Sequence, residues 1–174
     1  IINENILDAL PELCEKYNVI HQTGEKNLSV VNETAAVVLY NQKEKADRYK
    51  TFPFLGRDEL SRAIGVADCV ITRAGSTLFE IARWGIPAIV IPIANSNGDH
   101  QVKNAFSYAR IGAGIVIEES NLSPHILTAE VNRVLEDEAI QVRMKEATKT
   151  FNRDGGEDTI ATALISIGLE HLSS

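Results

Sequence analysis

"ITRAGSTLFEIARWGIP", residues 71–87, decides the fold. Cys69 to Thr72 is a short apolar strand, Arg73 to Ser76 a glycine turn, and Thr77 to Trp84 a helix. Gly85 followed by Pro87 stops that helix. Gly75 permits a tight turn and close approach of a ligand. Ser76 or Thr77 is placed to cap the helix, leaving the N–H groups of its first turn pointing outward. Such a terminus, with its dipole, suits a phosphate or diphosphate. Glu80 lies one turn further in and has two readings. It completes a capping box with Thr77, or it accepts hydrogen bonds from the vicinal hydroxyls of a ribose.

Working outward, strand-like and helical segments alternate along the chain. Asn3–Tyr17 is helical, with Pro11 expected to break or kink it. Strands are expected at Asn18–Gln22, Tyr49–Phe54, Cys69–Thr72, Ala88–Ile93 and Gly114–Ile117. Further helices are expected at Asn32–Lys45, Glu59–Gly65, Asp99–Arg110, Ser123–Leu135, Ala139–Thr150 and Thr159–Leu172. The run "AIVIPI", 88–93, is continuously apolar, as in a strand covered on both faces. This pattern predicts an α/β fold with a doubly wound, Rossmann-like parallel sheet in one domain. Ligands of such sheets bind beyond the carboxyl ends of the strands. Three polar loops fall there: His21 to Gly24, Arg73 to Thr77 and Ala94 to Gln101.

The bulk composition narrows the partners. The chain has 174 residues, 44% hydrophobic and 24% charged, with a net charge of −7. An acidic chain argues against nucleic acid, and a phosphate must be held by local dipoles. The longest apolar run, Ile86 to Ala94, is too short to cross a bilayer. Cys14 and Cys69 form no close pair, which fits reduced thiols in a cytoplasmic protein.

The loop before the Asp99–Arg110 helix offers a second polar group. Asp99 is a natural N-cap; it, Gln101 and Asn104 are also suited to sugar hydroxyls. A metal held by Asp99, His100 and His21 lacks compact ligand spacing. His21 either faces the cleft or is a satisfied structural histidine. Trp84 reads as a packing residue.

Four stretches, "HQTG" (21–24), "FPFL" (52–55), "ADCVITRAGSTLFEIARWGIPAIVIPI" (67–93) and "GDHQVKNA" (98–105), stand in the order and spacing of one family. Over nearly its whole length the chain resembles the C-terminal half of the glycosyltransferase family 28 enzymes, in particular the MurG type. That type transfers N-acetylglucosamine from UDP-N-acetylglucosamine to lipid I, making lipid II for peptidoglycan. The resemblance implies one half of a GT-B fold, residues 1–174 being a donor-binding domain. It implies that Leu55 touches the uracil through its backbone, and that Arg73, Gly75, Ser76, Thr77 and Leu78 line the diphosphate and uridine. Glu80 would bind the ribose and Gln101 the N-acetylglucosamine, with Asp99 and Asn104 at further motif positions. The chain has one residue fewer between the RAG turn and the glutamate than many members.

The same resemblance implies an inverting transferase that needs neither cofactor nor metal, UDP-N-acetylglucosamine being a substrate. The start without methionine, already in a helical pattern, reads as a fragment. It would lack the N-terminal acceptor domain, and the first strand and glycine-rich loop of its own half. No catalytic residue is then expected here, and the chain alone would be inactive. The parent would sit in the cytoplasm, peripheral on the inner face of the membrane, with a lipid-linked acceptor as partner. Alternatives are the nucleotide-sugar-binding subunit of a two-chain transferase, a UDP-N-acetylglucosamine epimerase-like protein and a non-catalytic nucleotide-sugar sensor.

Overall fold

The computed structural model describes residues 1–94 and 99–151. The expected helix at Thr159–Leu172 lies outside them. Helices are α1 (Ile2–Lys16), α2 (Leu28–Val38), α3 (Lys43–Asp47), α4 (Arg57–Gly65), α5 (Thr77–Trp84), α6 (His100–Arg110), α7 (Pro124–Glu136) and α8 (Glu138–Phe151). Strands are β1 (Val19–Gln22), β2 (Tyr49–Phe52), β3 (Val70–Thr72), β4 (Ala88–Val90) and β5 (Gly114–Val116). Among the described residues every strand pairing is parallel, as expected. The pairing falls into two pieces, β1-β2 and β3-β4-β5.

Strand β4 shows why its sequence is apolar throughout. Ile89 and Ile91 enter one core cluster with α1, α2 and α7. Ala88 and Val90 enter a second, with α4, α5 and α6. Successive side chains of a strand point to opposite faces, so helices cover both sides. Tyr49 of β2 joins the first cluster, and Val19 of β1 packs against it. One apolar layer therefore spans both sheet pieces.

Three local expectations are corrected. Pro11 does not interrupt α1, which runs through it to Lys16. Basic side chains from the α3 region hold the second half of the helix: Lys45 Nζ donates to the Pro11 carbonyl at 2.9 Å. Arg48 donates to the carbonyls of Cys14 and Glu15. Cations at a helix C-terminus satisfy its orphan carbonyls and its dipole. The single helix expected over Asn32–Lys45 is instead the end of α2 and the start of α3. Asn41 breaks it with φ 59, a left-handed conformation that asparagine tolerates. Strands β2 and β4 end before their expected limits, at Phe52 and Val90. Pro53 directly follows β2, and Pro92 comes after Ile91, whose N–H makes a last bond to the Thr72 carbonyl at 2.8 Å. Neither proline can donate to a ladder.

The turns around α5 and β5 depend on two glycines. Gly85 closes α5 with φ 73, a conformation that favours glycine. At Gly114 a Cβ would lie 2.6 Å from Tyr108 Cδ1 and 2.9 Å from the Ala88 carbonyl. The absence of a side chain there lets α6 lie against β5. Trp84 leaves half its surface in solvent, and its ring lies beside Gly65 of α4, where an added Cβ would stand 3.7 Å from Cζ3.

Candidate functional site

Within each sheet piece the parallel pairings put the carboxyl ends of the strands on one side, and the polar loops beyond β3 and β4 are joined there by named contacts. Thr72 is the last residue of β3, and the turn Arg73–Ser76 leads directly into α5. Asn104 of α6 donates from Nδ2 to the Ala74 carbonyl at 3.2 Å. Gln101 accepts from the Ile93 N–H, beyond β4, at 3.2 Å. The two predicted polar groups thus share one edge, with α6 bracing the turn before α5. Asp99 stands at the N-cap of α6 with φ 55, and its side chain caps nothing. Asn97 and Gly98 lie outside the described residues.

The start of α5 is open. Among the described residues no side chain caps it, and its first bonds are Leu78 N–H to Gly75 O and Phe79 N–H to Ser76 O, at 3.1 and 3.0 Å. The capping box of Thr77 and Glu80 does not form. Glu80 is exposed and, among the described residues, joins no hydrogen bond or ion pair. Gly75 keeps an ordinary φ, and a Cβ built on it meets nothing within 4 Å. Neither backbone conformation nor the protein's own packing demands glycine there. Among the described residues, the missing side chain leaves clear space over an uncapped helix terminus, with an unpaired carboxylate one turn away. Ser76 is exposed, Thr77 half-buried, and the Leu78 side chain is fully in the core.

Arg73 takes a different place from the turn it begins. Its Nη1 donates to the Ile91 carbonyl at 3.1 Å and meets Glu119 Oε1 at 2.6 Å. The guanidinium therefore lies across the ends of β3, β4 and β5. Glu119 opens the 3-10 turn Glu119–Asn121 after β5 and was not singled out in the sequence. Its signal there is only an acidic pair following a strand, which many solvated turns share.

On the other sheet piece, Gln22 at the end of β1 accepts from the Leu55 N–H at 2.9 Å. The Leu55 side chain is buried. Thr23 donates its N–H to the Phe52 carbonyl at 2.9 Å, tying the two loop starts together.

His21 is a structural histidine. It is buried against Tyr49 and Asn3, with Nδ1 2.7 Å from the Tyr49 hydroxyl and Nε2 3.1 Å from Asn3 Oδ1. Asn3 Nδ2 donates to the Thr23 carbonyl, which leaves Oδ1 as acceptor. Nε2 then carries the proton, and Nδ1 accepts from Tyr49. Burial pushes the imidazole pKa down to about 4, so the ring is neutral at pH 7. The reading of His21 as a cleft residue is replaced by this network beneath α1.

Among the described residues no group of three or more His, Cys, Asp or Glu stands together as a metal site. None of their helices is long and apolar enough to cross a membrane. Both cysteines are free, and burial raises their thiol pKa values, that of Cys69 to about 12.

Parallel strands with helices on both faces of β4, and polar loops at the carboxyl ends, define a Rossmann-like α/β domain. The family model described as "Glycosyltransferase family 28 C-terminal domain" matches residues 1–160. The chain belongs to that family. It is 37% identical over 159 residues to the UDP-N-acetylglucosamine--N-acetylmuramyl-(pentapeptide) pyrophosphoryl-undecaprenol N-acetylglucosamine transferase of Leuconostoc citreum. That match covers 90% of this chain and 42% of the relative. The transferase of the same name from Syntrophotalea carbinolica is 34% identical over 163 residues, covering 91% and 43%. Among solved structures, MurG of Acinetobacter baumannii superposes with a TM-score of 0.76 at 23% identity, over 95% of this chain and 45% of that one. The glycosyltransferase VinC, solved with dTDP, superposes at 0.64 with 15% identity, over 85% and 33%. These two establish the fold, of GT-B type. The chain spans under half the length of these transferases.

Proposed function

We propose that this chain is the donor-binding half of an inverting glycosyltransferase that moves N-acetylglucosamine from UDP-N-acetylglucosamine to lipid I, giving lipid II. The observation that carries the reading is the start of α5. Among the described residues, free space over Gly75, an uncapped terminus and the unpaired Glu80 form one ledge. Backbone dipoles on that ledge suit a diphosphate, and the carboxylate suits a ribose. Gln101 and Asn104, on α6 beside it, suit the sugar. The named curated relatives support the sugar and the acceptor, since they are transferases and not epimerases.

In this reading the backbone N–H groups stabilise charge on the departing UDP as the glycosidic bond breaks. The acceptor hydroxyl attacks from the opposite face. Its base and its lipid-facing surface come from outside these 174 residues, and the assembled enzyme works peripherally at the inner face of the membrane. Uracil would reach the Leu55 loop, whose N–H Gln22 now holds; Gln22 gives way or keeps the loop in place for the base.

Calorimetric titration of the chain with UDP, UDP-N-acetylglucosamine and dTDP tests the donor half. Both uridine ligands are expected to bind, and dTDP more weakly. Failure of both to bind would overturn the reading. With a lipid I analogue the chain alone is expected to make no lipid II, because transfer needs both reactants held together.

A further inference from the structure

We infer that Glu119 is a positioning residue that weakens the grip of this site on the diphosphate by holding Arg73. The inference rests on the function proposed above and adds a residue to it. Of the ion pairs among the described residues, Arg73–Glu119 is the one with both partners shielded, at 30% and 20% exposure. The others each leave at least one partner more than half exposed. Partial shielding makes an ion pair matter more, because solvent screens it less.

The placement gives the pair a job. Arg73 begins the turn that leads into α5, and its side chain crosses to the Ile91 carbonyl and to Glu119. It is a fixed cation at the carboxyl edge of the sheet, where an anionic ligand enters. Its charge is already answered by Glu119. A diphosphate at the start of α5 lies beside the turn that Arg73 opens, and a phosphate oxygen that reaches toward the ends of β3 and β4 meets the guanidinium together with that carboxylate, in a chain whose net charge is −7. Ligand oxygens and Glu119 compete for one guanidinium, whose donors are set in a rigid fork. The carboxylate therefore lowers affinity for UDP and favours its release after the sugar has left.

The test separates charge from shape. Glu119→Gln keeps an acceptor for Arg73 and removes the negative charge. UDP is expected to bind about fivefold more tightly to this variant, the size of a partly screened charge interaction. Uridine, which lacks phosphate, is expected to bind both proteins equally. In an Arg73→Met background the Glu119→Gln change is expected to give a smaller gain, because the guanidinium that the carboxylate holds is gone. Circular dichroism checks folding, and Glu119→Ser replaces Glu119→Gln should the latter not fold. Unchanged or weaker UDP binding by a folded neutral variant overturns the inference, as does an equal gain for uridine. A wild-type chain that binds UDP while the variant shows no gain sinks this inference alone. A wild-type chain that binds no UDP sinks the proposed function and this inference with it.

Discussion

Acidification tests the buried His21 network. In the fold the His21 pKa is pushed from 6.5 down to about 4 by burial. The unfolded chain therefore binds a proton there at a higher pH than the folded chain does. Stability from this group is complete above about pH 6.5 and is lost as pH falls toward 4. Integrated between pH 7 and pH 5, the loss is about 2 kcal/mol. With a urea slope of about 2 kcal/mol/M, the unfolding midpoint drops by about 1 M over that interval. Urea unfolding followed by far-UV circular dichroism at both pH values measures it. The comparison is His21→Gln, whose amide can still donate to Asn3 and accept from Tyr49. That variant is expected to be less stable at pH 7 but much flatter with pH. Glu15 and Glu136, held down by hydrogen bonds from Lys45 and Lys16, are common to both proteins and cancel. An equal midpoint drop in wild type and His21→Gln would refute the placement of a neutral, buried imidazole.

Three further expectations follow from single contacts. Gly114→Ala should cost about 1–3 kcal/mol in unfolding free energy, since its Cβ meets Tyr108 and the Ala88 carbonyl. Because the capping box is absent, Glu80→Gln and Glu80→Ala should both leave the melting temperature nearly unchanged while weakening UDP about tenfold; unchanged affinity would take Glu80 out of the site. Asn104→Ala should destabilise by about 1 kcal/mol through loss of its bond to Ala74, and UDP titration should show weaker binding as the turn loosens.

The sequence carried the sheet well, because buried parallel strands are apolar runs between glycine and proline punctuation. "AIVIPI" could only be covered on both faces, and β4 is. The break at Asn41 was missed because hydrophobic periodicity continues across it and only a backbone angle marks it. Pro11 was misread for the converse reason. A local rule against proline gave way to long-range grips by Lys45 and Arg48. The RAG turn and the α6 residues were legible as polar groups at strand ends. Their partners were not, since Glu119 for Arg73 and Tyr49 for His21 come from distant segments. A motif names the residue types, and only the fold decides which of them are already engaged.

The division of the sheet into two pieces has a consequence for how the chain meets other chains. A single five-stranded sheet has two margins; among the described residues, pieces of two and three strands have four. Every margin is a row of backbone donors and acceptors, and so a template for another extended segment. Strands of three or four residues limit how firmly such a guest holds. The apolar layer shared by both pieces favours a guest that also brings apolar side chains. Concentrated solutions of the isolated chain are therefore expected to aggregate through edge pairing, and a polypeptide that adds a parallel strand is expected to suppress it.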